Sequence, residues 1–277
     1  MDLQEITENG RKLKVKDSKE LRYRRLVEQV RASYPPNCGE PELGKLYRYP
    51  PCDEINLWTY WQGRGNLNAE LLLVGQDWGN PWTMCPEDFA DRLENAGEGP
   101  LPDYMKGNDN RTDQNLEELF RELEPSLDLE KPCRNIFFTN FVLGYRAGKI
   151  SGGFKSSWAE KDSQFFGELV DILEPKVILC LGRSVFEAVM KTLAPNSRPR
   201  IKSYNAFIES TENPCTAVLA SGKRAAVFAL AHCGAYGTMN RSRGRQEQGM
   251  ELQKKDWRRI SPYLHSSDRR EPSASEP

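Results

Sequence analysis

The stretch LLLVGQDWGN, Leu71–Asn80, places four aliphatic residues directly before Gly-Gln-Asp. Three further short apolar runs follow it, at Ile136–Thr139, Val177–Leu181 and Ala226–Ala231. Each run is continuous rather than alternating, which is typical of strands that are buried on both faces of a mainly parallel sheet. The sequence therefore predicts four buried strands of this kind.

Helical patterns lie between and after these runs. They are TDQNLEELFREL from Thr112, SWAEKDSQFFGELVDIL from Ser157, RSVFEAVMKTL from Arg183 and GRQEQGMELQKKDWRRISPYL from Gly244. Strands that alternate with helices predict an α/β fold, with helices on both faces of the sheet. We therefore expect a three-layer α/β/α domain over residues 67–264, built on a central, mainly parallel four-stranded sheet.

The two ends of the chain have a different character. Residues 1–66 are predicted to form an N-terminal extension, with a helix in SKELRYRRLVEQVRASY that ends at Pro35-Pro36 and a Pro/Gly-rich loop after it. Residues 265–277 are small and polar, which predicts a disordered tail.

Composition excludes several classes of protein. Apolar residues make up 38% of the 277 residues and charged residues 29%, and no apolar run reaches the ~18 residues of a membrane helix. The polar start lacks the apolar core of a signal peptide. We therefore expect a cytoplasmic protein with no membrane partner.

The seven cysteines are scattered, and no C-x-x-C occurs. No local zinc or iron–sulfur signal is therefore present, and we expect no cofactor and no metal. A cluster assembled from distant cysteines stays open as an alternative.

Charge is distributed unevenly although the net charge is only −1. Residues 176–277 hold 17 Lys and Arg against 9 Asp and Glu, and residues 1–175 hold the remaining 22 against 31. This asymmetry indicates either a basic face that meets nucleic acid or an uneven solvated surface.

Polar side chains stand at the tips of three predicted strands. Asp77 follows the first run, Asn140 the second and His232 the fourth. Since ligands bind outside the carboxyl ends of parallel strands, these side chains are expected to share one crevice. Taken singly, each has a structural alternative as a turn former, a helix cap or a hydrogen-bonded loop residue. Three polar side chains at the tips of three strands favour a shared site.

Five segments resemble the uracil-DNA glycosylase superfamily, in that family's order and across residues 68–264. Gly75-Gln76-Asp77 resembles the start of the water-activating motif, and IFFTNFV resembles the strand whose terminal Asn reads the uracil edge. LCLGRSVFEAV resembles the strand, glycine and helix between the motifs, and DWRRISPYL is similar to the closing helix. FALAHCGAYGTMNRSRGR resembles the final motif, a His followed by a loop that enters the DNA minor groove.

The resemblance implies a monofunctional DNA glycosylase of base-excision repair. Such an enzyme hydrolyses the N-glycosidic bond of a flipped uracil, or of a related deaminated or modified base, as a monomer without a cofactor. Asp77 would activate the water, and His232 would donate a hydrogen bond to the leaving base. Asn140 would read the base through its amide donor and acceptor, with backbone contacts from Gln76 and Trp78.

DNA contacts are expected from residues near two of the strand tips and in the loop after His232. They are Gly182, Arg183, Ser184, Tyr236, Met239, Arg241, Arg243 and Arg245. Lys254, Lys255, Arg258 and Arg259 of the last helix either join them or simply solvate that helix. Candidates for the aromatic that stacks on the base are Trp78, Trp82, Phe89 and Tyr104.

Two other functions stay open. Trp78-Gly79 and Cys233-Gly234 depart from the family pattern, which motivates a catalytically silent nucleic-acid-binding protein on the same fold. The order strand, Gly-x-Ser184, helix suggests a serine hydrolase, although Phe186 stands where a nucleophile elbow has its last glycine.

Overall fold

The computed structural model describes residues 4–8, 11–15, 18–37, 42–48, 67–77, 111–123, 136–146 and 154–265. The expectations for Trp78, Trp82, Phe89, Tyr104 and the tail after residue 265 lie outside the described residues.

The central sheet has five strands, in the spatial order Ile136–Asn140, Leu71–Gly75, Val177–Leu181, Arg224–Leu230 and Cys215–Val218. Its parallel members are β4 (Leu71–Gly75), β5 (Ile136–Asn140), β7 (Val177–Leu181) and β9 (Arg224–Leu230). The predicted α/β class is confirmed, since these are the four apolar runs. The fifth strand, β8 (Cys215–Val218), pairs antiparallel at the edge and was not predicted, because it is short and only Ala217 of its four residues is buried.

Four further strands lie outside this sheet and form two separate pairs. β1 (Gln4–Glu8) pairs antiparallel with β2 (Arg11–Val15), and β3 (Leu46–Tyr47) pairs antiparallel with β6 (Tyr145–Arg146).

The helices of the described residues agree with the sequence patterns in most of their bounds. They are α1 (Lys19–Ser33), α2 (Arg111–Leu123), α3 (Ser156–Leu173), α4 (Arg183–Leu193), α5 (Tyr204–Glu209), α6 (Ala235–Arg241), α7 (Gly249–Arg258) and α8 (Ser261–Leu264). The last predicted helix begins at Gly249 rather than Gly244 and is split near Ile260. Residues 235–241, expected as a loop, form a helix.

Helices cover both faces of the sheet. Along β4, Leu71 and Leu73 join one core cluster with α2 and α7, where the rings of Phe120 and Trp257 meet edge to face at 5.2 Å. Leu72 joins the opposite cluster, which contains α1, α3 and α4. Successive strand residues point to opposite faces, so the continuous apolar runs fill both cores and produce three layers.

The N-terminal helix packs on the sheet domain. The Lys19 ammonium donates to the carbonyls of Leu67 and Leu173, at 3.2 and 3.1 Å. The Tyr34 hydroxyl, just after α1, donates to the buried Asp162 carboxylate on α3. The predicted boundary at residue 67 stays a prediction, but α1 shares its core with the sheet. No helix of the described segments is both long and apolar enough to cross a membrane.

Candidate active site

A crevice is expected between β4 and β7, which lie side by side in the sheet. The helix after β4, α2, covers one face, and the helix after β7, α4, covers the other. Connections that diverge in this way open a cleft at the carboxyl ends of the strands. At this end Asn140 is the last residue of β5, and Asp77, Gly182 and His232 lie one or two residues beyond β4, β7 and β9.

The tips of β4 and β5 are joined by backbone hydrogen bonds. The N–H of Phe141 donates to the Gly75 carbonyl at 2.9 Å, and the N–H of Val142 donates to the Gln76 carbonyl at 3.0 Å. The backbone that leads from Gly75 to Asp77 is therefore held against the turn after Asn140. Trp78, the other expected backbone contact, lies outside the described residues.

The side chain of Asn140 lies across the end of β4. Gly75 and Asn140 are register partners, and a Cβ on Gly75 would stand 2.1 Å from Asn140 Oδ1. Only a glycine leaves room for this amide. Asn140 is buried, yet its amide is not among the side-chain groups that are cut off from solvent without a partner. Within the described residues the amide makes no side-chain hydrogen bond, so its donor and acceptor remain available to a ligand.

Asp77 is held by a residue that the sequence did not indicate. Arg146 Nε donates to Asp77 Oδ2 at 2.7 Å, and the two side chains are only 10% and 8% exposed. The partners are 69 residues apart in the chain, and no local signal announces the pair. Asp77 Oδ1 accepts no hydrogen bond from the described residues.

The tautomer of His232 is fixed by its own loop. The N–H of Gly234 donates to His232 Nδ1 at 2.9 Å, so Nδ1 is an acceptor and the neutral ring carries its proton on Nε2. Burial by the surrounding protein lowers the pKa of His232 below its ordinary value of 6.5, against the opposing effect of the Asp77 charge. Solvent still reaches His232, which is an exposed residue. The site therefore offers a neutral N–H donor within electrostatic reach of Asp77.

Three helices clamp the turn that carries His232. Gln253 on α7 donates to the His232 carbonyl at 3.0 Å, and Asn115 on α2 donates to the Cys233 carbonyl at 2.5 Å. On α6, a Cβ at Gly237 would stand 2.0 Å from the His232 oxygen. The imidazole is therefore presented by a tightly packed backbone.

Helix α6 presents two large apolar side chains to solvent. Tyr236 is 68% exposed and Met239 is 59% exposed. They are three residues apart, so they lie on one face of the helix. This helix begins three residues after His232, and exposed apolar groups beside the crevice suit insertion into a base stack.

The expectation that Arg241 contacts DNA is wrong. Its side chain is 1% exposed and pairs with Asp256 through Nε at 2.8 Å and with Glu209 through Nη2 at 2.7 Å. The acids lie 15 and 32 residues away in the chain. The sequence Arg-Ser-Arg-Gly-Arg therefore hides a structural ion pair that joins α5, α6 and α7.

The other basic residues that were predicted to contact DNA differ in whether their side chains already pair with groups of the protein. Arg243 is exposed, and its side chain makes no hydrogen bond or ion pair with the described residues. Arg245 binds both oxygens of Glu209. The α7 cations pair with acids, as Lys254 does with Glu118, Lys255 with Glu247 and Arg258 with Glu122. Arg259 donates to backbone carbonyls. For this helix, the alternative of a solvated, ion-paired surface fits.

The tip of β7 starts an exposed helix turn. Gly182 has a φ of +102°, which favours glycine, and its N–H donates to the Leu230 carbonyl of β9 at 2.8 Å. Arg183 is exposed and donates to Glu187 and to the Ile201 carbonyl. Ser184 is exposed, and its hydroxyl makes no hydrogen bond to a histidine or to any other described residue. A charge relay for a serine hydrolase is therefore not assembled there among the described residues.

A second basic segment at this edge was missed. Arg198, Arg200 and Lys202 are all exposed. Their loop is tied to the edge where the site lies, because Arg183 binds the Ile201 carbonyl and Tyr204 donates to the Leu230 carbonyl at 3.0 Å. The cluster of three cations in five residues was visible in the sequence, but its position at the crevice was not.

Among the residues with described placement, no group of three His, Cys, Asp or Glu side chains is arranged to hold a metal. No protein-family model matches the chain, and no curated protein matches it significantly in sequence.

Proposed function

We propose that the chain is a monofunctional DNA glycosylase of base-excision repair, which hydrolyses the N-glycosidic bond of a flipped uracil or a related deaminated or modified base. The observation that carries the proposal is that Asp77, Asn140 and His232 stand at the carboxyl ends of three parallel strands of one sheet. A carboxylate, an amide without a side-chain partner among the described residues and a neutral Nε2–H donor thus stand at one edge of the sheet.

The proposed chemistry assigns a separate task to each group. Breaking the bond leaves a cationic, oxocarbenium-like sugar and an anionic base. Asp77 orients a water for attack on the sugar and stabilises its positive charge. His232 donates its Nε2–H to the oxygen of the leaving base, for which a neutral ring suffices.

Base selection falls to Asn140. Its amide supplies one donor and one acceptor, which match the O4 and N3–H edge of uracil. Cytosine presents the opposite polarity there and would leave buried groups unpaired. A site of this kind can discriminate between two bases by about 10⁴-fold or more.

DNA would lie across the edge of the sheet that carries the crevice. Tyr236 and Met239 supply an exposed apolar pair that can fill the gap left by a flipped base. Arg243, Arg200 and Lys202 supply exposed cations for phosphates on the same edge. The chemistry needs neither a cofactor nor a second copy, so we expect a monomer that acts in the cytoplasm.

A panel of labelled oligonucleotides tests the proposal. The panel carries uracil, hypoxanthine, 5-hydroxymethyluracil or a G·T mismatch, and base release is measured for the wild type and for Asp77→Asn. We expect release of at least one base by the wild type and a loss of ~10²–10⁴-fold in the variant. Ser184→Ala should lose much less than Asp77→Asn, whereas a serine hydrolase would lose its activity.

A second candidate is a nucleic-acid-binding protein without turnover. The pairing of Asp77 with Arg146 favours it, because the arginine neutralises the carboxylate in the resting structure. A wild type that binds every oligonucleotide of the panel and releases no base would establish this reading and contradict the glycosylase.

A further inference from the structure

Arg146 lies in a two-stranded sheet that is separate from the central sheet, whose strand β4 leads to Asp77. It lies in the two-residue strand β6, where it pairs with Leu46 of β3. Its guanidinium carbon lies 5.9 Å from the centre of the Trp158 ring on α3, a distance at which a cation and an aromatic face attract each other. Its Nε then donates to Asp77 Oδ2 at 2.7 Å. The arginine is thus fixed at its backbone, along its side chain and at its tip.

Stability alone does not account for this pair. Both side chains are at least nine-tenths buried, and replacing a buried ion pair by apolar residues is often neutral or stabilising, because burying two charges costs desolvation. The pair does, however, restrict the carboxylate. One oxygen is bound, and the other accepts no hydrogen bond from the described residues. A carboxylate that must place one water gains from such a restriction, since small errors in position reduce the rate strongly.

We propose that Arg146 is the positioning residue of Asp77. It holds Oδ2, leaves Oδ1 to orient the attacking water, and offsets the repulsion between the carboxylate and DNA phosphates. This inference rests on the proposed glycosylase activity. It also gives the N-terminal segment a task, since β3 and the turn after α1 fix the backbone of Arg146.

The segment around β3 is itself anchored at several points. The Tyr145 hydroxyl donates to the Asn37 carbonyl at 2.8 Å. The N–H of Asn37 donates to the Arg48 carbonyl at 3.0 Å, and that of Arg48 to the Pro35 carbonyl at 3.1 Å. Residues 35–37 and 46–48 therefore connect the strand that carries Arg146 to the end of α1, which packs on the core.

A double-mutant cycle tests the inference. Arg146→Met and Arg146→Lys are each made in the wild type and in Asp77→Asn. For every variant we measure the single-turnover rate of base release, the steady-state kcat and KM, and the thermal midpoint. Arg121→Met is the matched control, because Arg121 is an exposed arginine paired with Glu117 on its own helix. We expect Arg146→Met to lower kcat on the order of 10²-fold and to leave KM within about threefold. Arg146→Lys, which keeps the charge but not the planar donor, should recover part of the loss.

The Asp77→Asn background separates positioning from a general structural role. If Arg146 acts through the carboxylate, its removal there lowers the residual rate no further. Equal losses in both backgrounds, or a wild-type kcat in Arg146→Met, overturn the inference. If Arg146→Met does not fold, Arg146→Lys makes the same comparison, and a wild-type kcat in that variant overturns it equally.

The cycle also distinguishes the two proposals. An active wild type, an inactive Asp77→Asn and a fully active Arg146→Met would leave the glycosylase standing and remove the role of Arg146. A folded wild type without base release would remove both.

Discussion

At the scale of single residues, the site depends on two glycines that stand beside functional side chains. Gly234 gives its N–H to His232 Nδ1, and a Cβ there would lie 3.0 Å from that nitrogen. Gly75 leaves room for the amide of Asn140. These glycines fix which atoms of His232 and Asn140 face a ligand, so the chemistry of the crevice is set by backbone as much as by side chains.

The lowered pKa of His232, which burial by the surrounding protein causes, predicts a pH dependence of stability. The pKa of His232 is lowered in the folded chain, so the unfolded state binds more protons once the pH falls below the ordinary value of 6.5. Stability is therefore intact above that pH and is lost as the pH falls through the folded pKa. Thermal midpoints from pH 8 to pH 5, as a rough range, should fall less in His232→Gln than in the wild type. Parallel curves would contradict the assignment.

Gly75→Ala is predicted to impair base selection more than stability. The added methyl group collides with Asn140 Oδ1, the end of a side chain that can swing away, and lies 3.4 Å from Phe138. We expect the ratio of uracil to cytosine release to fall by roughly 10-fold or more. Gly167→Ala is the matched control, since its methyl group would make only an ordinary contact with Thr192 at 3.6 Å. An unchanged ratio in Gly75→Ala would show that Asn140 does not read the base.

At the scale of elements, α6 connects the apolar pair Tyr236 and Met239 to a buried ion network. Arg241 at its end binds Asp256 of α7 and Glu209 of α5. Burial raises the pKa of Asp256 although Arg241 opposes this, so the arginine is what keeps a buried acid compensated. The helix is thereby anchored at one end while its exposed face stays available.

The network predicts opposite phenotypes for two neighbouring arginines. Arg241→Ala leaves Asp256 buried without its partner and should lower the free energy of unfolding by about 3–5 kcal/mol. Arg243→Ala should leave that free energy within about 0.5 kcal/mol and lower the slope of log affinity against log salt by about 1. Urea unfolding and DNA titrations at several salt concentrations measure both quantities. A salt slope that Arg243→Ala does not change would remove Arg243 from the DNA surface.

The strands and helices also show how much of the fold could be predicted from the sequence. The four parallel strands were predictable because burial on both faces requires continuous apolar runs, and α4 was predicted with its observed bounds. Strand β8 was missed because an edge strand needs no such run. The ion pairs of Arg146 and Arg241 join residues 69 and 15 positions apart. Only the folded chain reveals such partners, so one arginine was overlooked and the other misassigned.

At the scale of the whole molecule, the basic C-terminal part is less free than its charge suggests. Lys254 and Arg258 pair with the acids Glu118 and Glu122 of α2, which lie in the acidic part of the sequence. Much of the asymmetry is therefore neutralised across the interface of two helices. Arg243 in the turn after α6, and Arg198, Arg200 and Lys202 in the loop between α4 and α5, stay exposed without an ion pair among the described residues.

The topology of the central sheet explains why residues that are distant in the chain are expected to form one site. Parallel strands bring all their carboxyl ends to one edge, and the divergence after β4 and β7 opens that edge. The N-terminal segment supports it from outside through β3, which pairs with the strand of Arg146. The candidate site is thus a product of topology, which local sequence patterns indicate only in part.

The measurement that tests the central claim most directly is single-turnover base release from duplex DNA by the wild type and Asp77→Asn, with binding to the same DNA measured in parallel. We predict release by the wild type, a rate lower by ~10²–10⁴-fold in Asp77→Asn, and similar affinity for both. Equal rates would contradict the role of Asp77, and binding without release by either protein would contradict the glycosylase itself.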